Sequence, residues 1–586
     1  MNAISNNLSG YSKRFLKIIF NGLRALPHVR LSVIRRVFSL MSRTEKQTFA
    51  ALCLITVVSF FFSSSSILNA FTKTVPANTG TYREGVLGQP RFINPIYATS
   101  DTDRSLVNLV YAGLYKFDSN GQVVPDLAEG FPEVSADQKT YTVKLRNAQW
   151  HNGLPVTAND VVFTIQTLQN SQFNSPKRVE WLSTNVEAQN EKTVVFKLKD
   201  VSGPFLNNLT LPIISEVIWS KISPSDFVLS QGNIEAIGNG PYRIKEVKKL
   251  SQGSIQSITL EAFDSYPAGR SHLETVRINF YENNEELLKA LHGNQIDGIG
   301  FNNFDEKISI KQSLKDLTVY QIPLPQYQAV FINTANKILG DSRIRQALNM
   351  AVNKSKVLEN VYDNQGLIID SPILAQQVNN LPAVENSFNI EQAKSILEQA
   401  GWHENQETKI RRKGSSELKF SLATNDTNIN LKTAQMLIDQ WKQIGVQVTL
   451  NSLPTRELND SVIKSRSYDM LVFAQKLGSD PDPFVFWHSS QTKHPGLNLS
   501  NYSNQTVDEL ISEARASTDK TTRDQKYIEL HNVIKQDLPA IFLVQSVYTY
   551  AIKNNIQGVD IQTMPDETAR FYNLRNWYTN TRRVLK

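Results

Sequence analysis

Sulfur chemistry is almost missing from these 586 residues, because the only cysteine is Cys53. It stands inside an apolar run, so no disulfide can form in the rest of the chain, and stability there must come from packing. The same scarcity removes the softest metal ligand. No GxSxG nucleophile elbow and no HExxH zinc helix occurs. SxxK is found at Ser416, Ser461, Ser490 and Ser517, but without the KTG or SDN partner that a serine–lysine site needs. An enzyme is therefore not the expectation. Internal repeats and low-complexity tracts are absent as well.

Long hydrophobic runs are scarce too, and the single one organises the chain. No charged residue interrupts the sequence between Lys46 and Lys73. Phe49 to Phe62 is apolar, and with Ser63 to Phe71 the uncharged length reaches 23 residues, enough for a helix through about 30 Å of hydrocarbon. Residues 1–47 carry nine Lys or Arg against one acid, Glu45, an excess that is retained on the cytoplasmic side. The expectation is a basic cytoplasmic segment over 1–47, a single-pass anchor over 48–71 and an extracytoplasmic remainder. A cleaved signal peptide is disfavoured by Leu68-Asn69-Ala70, a poor cleavage site, and a lipoprotein by the position of Cys53 within the run. Within the tail, Phe15, Leu16, Ile18, Ile19, Phe20 and Leu23 interleave with Lys13, Arg14, Lys17 and Arg24. That pattern suits a helix lying on the anionic inner leaflet, or simply a flexible basic arm.

Removing those 47 residues leaves 53 basic against 54 acidic residues, so the formal charge of +7 belongs to the tail alone. Nucleic acid is not an expected partner. The external part is long enough for two or three domains. Residues 72–81, with Pro76 and Gly80 and little apolar content, read as a tether.

Beyond the tether the pattern is first one of short strands and turns. Tyr141, Val143 and Leu145 alternate with polar residues, as do Val194/Phe196/Leu198, Ile258/Leu260/Ala262 and Val276/Ile278/Phe280. Arg104 to Tyr115 has a helical apolar face, Asp118 to Gly121 is a hairpin turn, and Thr157 to Asp160 is a capping box that starts a helix. From about residue 320 longer helices take over. Asp341 caps one, Asn389 begins another that Gly401 ends, and a third over 431–444 stops at Gly445 before the strand Val446/Val448/Leu450. Ile541 to Val544 is a continuous apolar run suited to a central strand.

Several motifs occur in order: YAGLYKF from Tyr111, WHNGLPVTANDVVFTI from Trp150, GNGPYRI from Gly238, AVFIN from Ala329, DSRIRQALNMAVNK from Asp341, QAGW from Gln399 and SDPDPFVFWHSS from Ser479. Over roughly residues 80–575 the set resembles the family 5 extracellular solute-binding proteins, receptors of ABC importers that include oligopeptide and dipeptide binders. The resemblance implies an α/β, two-lobed periplasmic-binding-protein fold of the large, three-subdomain type, following the N-terminal transmembrane helix. Lobe 1 would span 82–322 with an inserted subdomain at about 120–230, lobe 2 would span 323–540, and 541–586 would return to lobe 1. It also implies a small-molecule ligand, a short peptide first, enclosed by hinge closure and passed to ABC permease subunits, with no cofactor and no metal. A nickel complex, haem or oligosaccharide as ligand, or a sensor for a signalling partner, are the alternatives. His488 and His494 lie near Asp480 and Asp482, but His-x5-His is not a defined metal spacing.

Peptide binders of this family often carry an aspartate just ahead of an acidic-Pro pair, where it meets the peptide's amino group. Here that position is held by Gly478 or Ser479, and the nearest acid is Asp480. Asp480 fits either that role or a turn before Pro481. Phe484 and Trp487 fit a pocket wall or the core equally, whereas Phe486 reads as core. Asn94, Tyr97 and Asn239 from the first lobe, and Gln328 and Gln475 from the second, complete the ligand-binding nominations. Trp150, His151 and Asp160 are accounted for by turn and cap.

Overall fold

The computed structural model describes residues 39–302, 316–478 and 480–586, with the side chains of 60–68 left aside. Most of the basic segment, including the interleaved stretch around Phe20, and Ser479 thus lie outside the described residues. The chain divides into two compact units, one of residues up to 75 with 581–586, the other of residues 76–580.

In the first unit, Arg43–Phe71 forms one helix of 29 residues, about 43 Å long at 1.5 Å per residue. Among the described residues no helix is long and apolar enough to cross a membrane. Thr72–Pro76, expected as a tether, is a strand paired with the C-terminal strand Thr581–Leu585. Of residues 541–586, expected to return to the first lobe, Thr581–Leu585 form this pair, while Ile556, Phe571 and Trp577 lie in the core of the first half. A partner five hundred residues away leaves no local signature, which is why the segment reads as a linker.

The second unit is organised by one large mixed sheet. Along the chain its main strands are β1 (Thr81–Leu87), β2 (Tyr242–Lys249), β3 (Ile255–Ala262), β4 (Thr275–Tyr281), β5 (Gly298–Asn302), β6 (Leu317–Ile332), β7 (Lys419–Asn425), β8 (Gln447–Leu453), β9 (Met470–Lys476) and β10 (Ala540–Lys553). Their order across the sheet is β8-β7-β9-β6-β10-β5-β1-β4-β3-β2. β1 runs parallel to both neighbours, as does β7, and the remaining pairs are antiparallel.

Two strands carry the chain between the halves of this sheet. β6 and β10 pair antiparallel from Leu317 opposite Lys553 to Phe331 opposite Ala540. On the β1 side they join a core built from Tyr82, Trp150, Trp181, Phe196, Trp219 and Trp577. On the other side alternation divides them between two layers. Val330 and Ile332 of β6, with Val472 of β9 and Ile541 of β10, face a core containing Leu348 and Trp441. Ala329 and Phe331, with Leu471 and Phe542, face a second containing Trp487 and Leu530. A sheet covered on both faces needs apolar residues at every position, so Ile541 to Val544 is continuous rather than alternating.

Pairing of β6 with β10 breaks once. Pro323 lies opposite Val547 and Tyr327 opposite Gln545, so Leu324, Pro325 and Gln326 bulge against Ser546. Two prolines without amide hydrogens make that interruption cheap. Gln545 Nε2 donates to Leu324 O at 2.8 Å and fills part of the gap.

A separate four-stranded antiparallel sheet lies within residues 133–198, in the order Glu133–Val134, Thr140–Lys144, Thr193–Leu198 and Thr184–Asn190. Its inward residues Tyr141, Val143, Val194 and Phe196 join the first-half core.

Candidate functional site

The β6 bulge opens onto a cavity of about 410 Å3. Leu324, Pro325 and Gln326 line it from the crossing strand, and Lys476 and Gly478 from the end of β9. The opposite wall is the helix Asp101–Val110 with the YAGLYKF segment that follows it. Ser100 caps that helix by accepting from Asp103 N at 3.1 Å, which fixes the turn presenting Arg104 and Asn108 inward. A third wall comes from residues 565–575.

These walls are fastened to each other. Asn108 Nδ2 donates to Thr568 Oγ1 at 2.9 Å, and Arg104 pairs with Asp566 at 2.9 Å and with Asp101. Lys476 reaches Glu567 at 3.1 Å. Behind them, Arg570 Nε donates to Glu84 Oε1 at 2.9 Å with both side chains buried. The second oxygen of Glu84 accepts from the Tyr550 hydroxyl at 3.0 Å and from Tyr82. The 565–575 wall is thus bolted to β1 and β10.

Val107, Tyr111, Trp181, Phe571 and Tyr572 give the cavity apolar surface between these charges, the composition of a small-molecule site. The Tyr111 hydroxyl is buried without a partner among the described residues, and burial holds it protonated far above the ordinary tyrosine range. Lys116 pairs with Asp126 at 3.1 Å. Lys177 and Glu180 stand together at one corner. Burial lowers the Lys177 ammonium to about 8, opposed by Glu180 and Asp566 and reinforced by Arg104. Burial also raises the Glu180 carboxyl, and Lys177 opposes that shift.

None of the eight nominated residues lines this cavity. Asn94 is buried, donating to Asn233 Oδ1 at 2.9 Å and accepting from Ile96 N at 2.9 Å. Tyr97 packs against Phe92 and Phe227. Asn239 accepts from Ala112 N at 2.8 Å, so it pins the backbone of the wall without entering the cavity. Gln328 bridges Asn430 and the Tyr362 hydroxyl, and Gln475 accepts from the Tyr327 hydroxyl at 2.5 Å. Asp480 is held by Arg523 at 2.6 Å and by Asn207 at 3.2 Å. Arg515 covers the ring of Phe484 at 4.1 Å. Trp487 is 1% exposed, among Phe331, Tyr502 and Phe542. Asn239 and Asp480 each hydrogen-bond to a residue that does line the cavity. Gly478, one of the two positions considered for the missing aspartate, is in the wall itself. Sequence reasoning passed over Lys177, Glu180, Asn207 and Arg575, because isolated polar residues in short turns carry no periodic or motif signal.

The family model for bacterial extracellular solute-binding proteins, family 5, matches residues 122–496. The oligopeptide-binding protein AppA of Bacillus subtilis is 27% identical over 553 residues, covering 92% of this chain and 99% of that protein. The dipeptide-binding protein of Escherichia coli is 26% identical over 504 residues, covering 80% and 90%. The AppA structure in complex with a nonapeptide superposes with a TM-score of 0.66 at 26% identity, over 86% of this chain and 99% of that one. NikZ of Campylobacter jejuni in complex with Ni(L-His) reaches a TM-score of 0.67 at 22% identity, over 86% and 100%, a likeness of fold alone.

Proposed function

Because the chain belongs to the bacterial extracellular solute-binding proteins of family 5, we propose that it captures a short peptide in the cavity beside the β6 bulge and delivers it to the permease of an ABC importer. The observation that carries this is the cavity's position. Its walls come from both halves of the large sheet, and those halves are joined there by only two strands, one of them interrupted. A ligand in that place touches both halves only when they are closed, so its binding energy shifts the population toward closure. Lobe 1 over 82–322 and lobe 2 over 323–540 would then turn about Pro323 to Tyr327. The peptide relatives support the ligand class. The reading assigns no reaction to this chain; the energy of uptake comes from partner ATPases.

In the same reading, residues 48–71 anchor the receptor in the cytoplasmic membrane with the amino terminus inside. The nine basic residues before the uncharged stretch support that orientation. Protease accessibility in intact cells tests it: cleavage of the receptor but not of an amino-terminal tag is the expected pattern.

Mass spectrometry of small molecules released from the full chain purified in detergent tests the ligand class. Short peptides are expected. A nickel complex, a haem or an oligosaccharide as the released species would replace the peptide reading.

A further inference from the structure

Cations gather where the uncharged stretch ends. Acidic residues are absent from 46–83 and from 568–586. The two strands that pair within these ranges, Thr72–Pro76 and Thr581–Leu585, carry Lys73, Arg582 and Arg583, with Lys586 next in the chain. All four side chains are exposed, and none makes an ion pair among the described residues.

Strand pairing sets their arrangement. Lys586 N donates to Phe71 O at 3.0 Å, so these two residues stand opposite each other, and the antiparallel register sets Lys73 against Val584 and Val75 against Arg582. Alternation then puts Phe71, Lys73 and Val75 on one face with Arg582, Val584 and Lys586. Arg583 lies on the other face, where its Nη1 donates to Thr72 Oγ1 at 3.1 Å. The first face therefore interleaves cations with apolar side chains, a composition suited to the boundary between hydrocarbon and water.

Distance decides what such a face can meet. Phe71 ends the stretch read above as the anchor, and a strand rises about 3.3 Å per residue. Lys73 thus stands at most about 7 Å beyond Phe71, Lys586 is level with Phe71, and Arg582 is at most about 13 Å beyond it. The polar headgroup layer is about 5–8 Å deep on each side of the hydrocarbon, and a charge just outside it acts over a Debye length of about 10 Å. Lipid phosphates are the negative charges held at that depth.

We infer that this strand pair docks on the anionic phospholipid headgroups around the anchor, with Lys73, Arg582 and Lys586 on the lipid phosphates and Phe71, Val75 and Val584 toward the acyl boundary. This rests on the anchor reading above. Residues 72–76 are in this way a collar on the bilayer surface, held there by a strand distant in the chain, and not a free tether.

The test reads amide hydrogen exchange of residues 72–75 and 581–586 in the full chain, reconstituted in vesicles of phosphatidylcholine alone and in vesicles with one quarter phosphatidylglycerol. Exchange in wild type is expected to be about tenfold slower in the anionic vesicles, and the difference should vanish at high salt. Lys73→Gln combined with Arg582→Gln and Lys586→Gln should remove the difference. Lys73→Arg combined with Arg582→Lys and Lys586→Arg should keep it. If the chain floats with both vesicles yet exchanges equally in the two, or if the glutamine variant keeps the lipid effect, the docking is overturned and the anchor stands. Failure of the chain to float with either vesicle overturns the anchor reading itself, so the two failures are told apart.

Discussion

Asn207 Nδ2 donates to Asp480 Oδ2 at 3.2 Å, joining residues 273 positions apart and the two halves that flank the cavity. The other carboxylate oxygen of Asp480 accepts from Arg523 Nη2 at 2.6 Å, so the acid is aimed before Asn207 meets it. Close by, Gly203 N donates to Arg515 O at 3.0 Å. These contacts form a latch between the loop around Pro204 and the segment after β9. A neutral donor on a carboxylate contributes about 1.5 kcal/mol net or somewhat more. Asn207→Ala is therefore expected to raise the open population of the ligand-free receptor roughly tenfold, with little change in unfolding midpoint. X-ray scattering without ligand should show a larger radius of gyration for the variant. An identical profile would mean that the contact contributes nothing to closure.

Glu84 and Arg570 are the buried pair behind the cavity wall, with side chains 0% and 5% exposed. Removing one partner leaves the other charged and enclosed. Glu84→Ala should lower stability by about 3–5 kcal/mol, whereas replacing both residues with apolar ones of similar volume should recover most of that. Denaturant midpoints of the single and double variants decide the matter. A loss below about 1 kcal/mol would show that the segment 565–575 is held by other contacts.

What could be read without coordinates was local. Caps were legible because their chemistry lies within four residues. Asp341 accepts from Arg343 N, Asn389 from Gln392 N, and Thr157 with Asp160 closes a capping box, as their sequences suggest. Alternating strands such as Thr193–Leu198 were legible because only one face of that sheet is covered by core. The wall of the cavity was not. Glu180 and Arg575 are 395 positions apart and share no pattern, and only the crossing of β6 and β10 brings their segments to one space. Aromatic residues after Asp482 invite a pocket reading, yet the sheet is covered on both faces, and the second face consumes them.

Trp487 accordingly separates stability from binding. Its ring lies 5.6 Å from that of Phe542 and 6.2 Å from that of Phe331. Trp487→Ala should cost about 3–5 kcal/mol by leaving a cavity in that core. Affinity for bound peptide, measured well below the lowered melting temperature, should change less than threefold. A large loss of affinity with an unchanged melting temperature would return Trp487 to the binding site.

His151 links stability to pH. Gly238 N donates to its Nδ1 at 3.3 Å, and its Nε2 lies 3.0 Å from Gly240 O. One nitrogen therefore accepts while the other donates, which is the neutral imidazole. Burial lowers its pKa to about 4, with Arg243 acting in the same direction and the bond to Gly240 opposing. The unfolded chain takes up this proton near pH 6.5 and the folded chain only near 4, so between those values the unfolded state binds more protons. Stability contributed here is complete above pH 6.5 and falls as the pH drops toward 4, by roughly 3 kcal/mol in all. His151→Gln can keep a donor and an acceptor in the same turn but cannot titrate. Its melting temperature should fall less steeply than that of wild type between pH 6.5 and 5, where other carboxylates are still largely ionised. Parallel curves for the two proteins would mean that His151 is protonated in the fold at the same pH as in the unfolded chain.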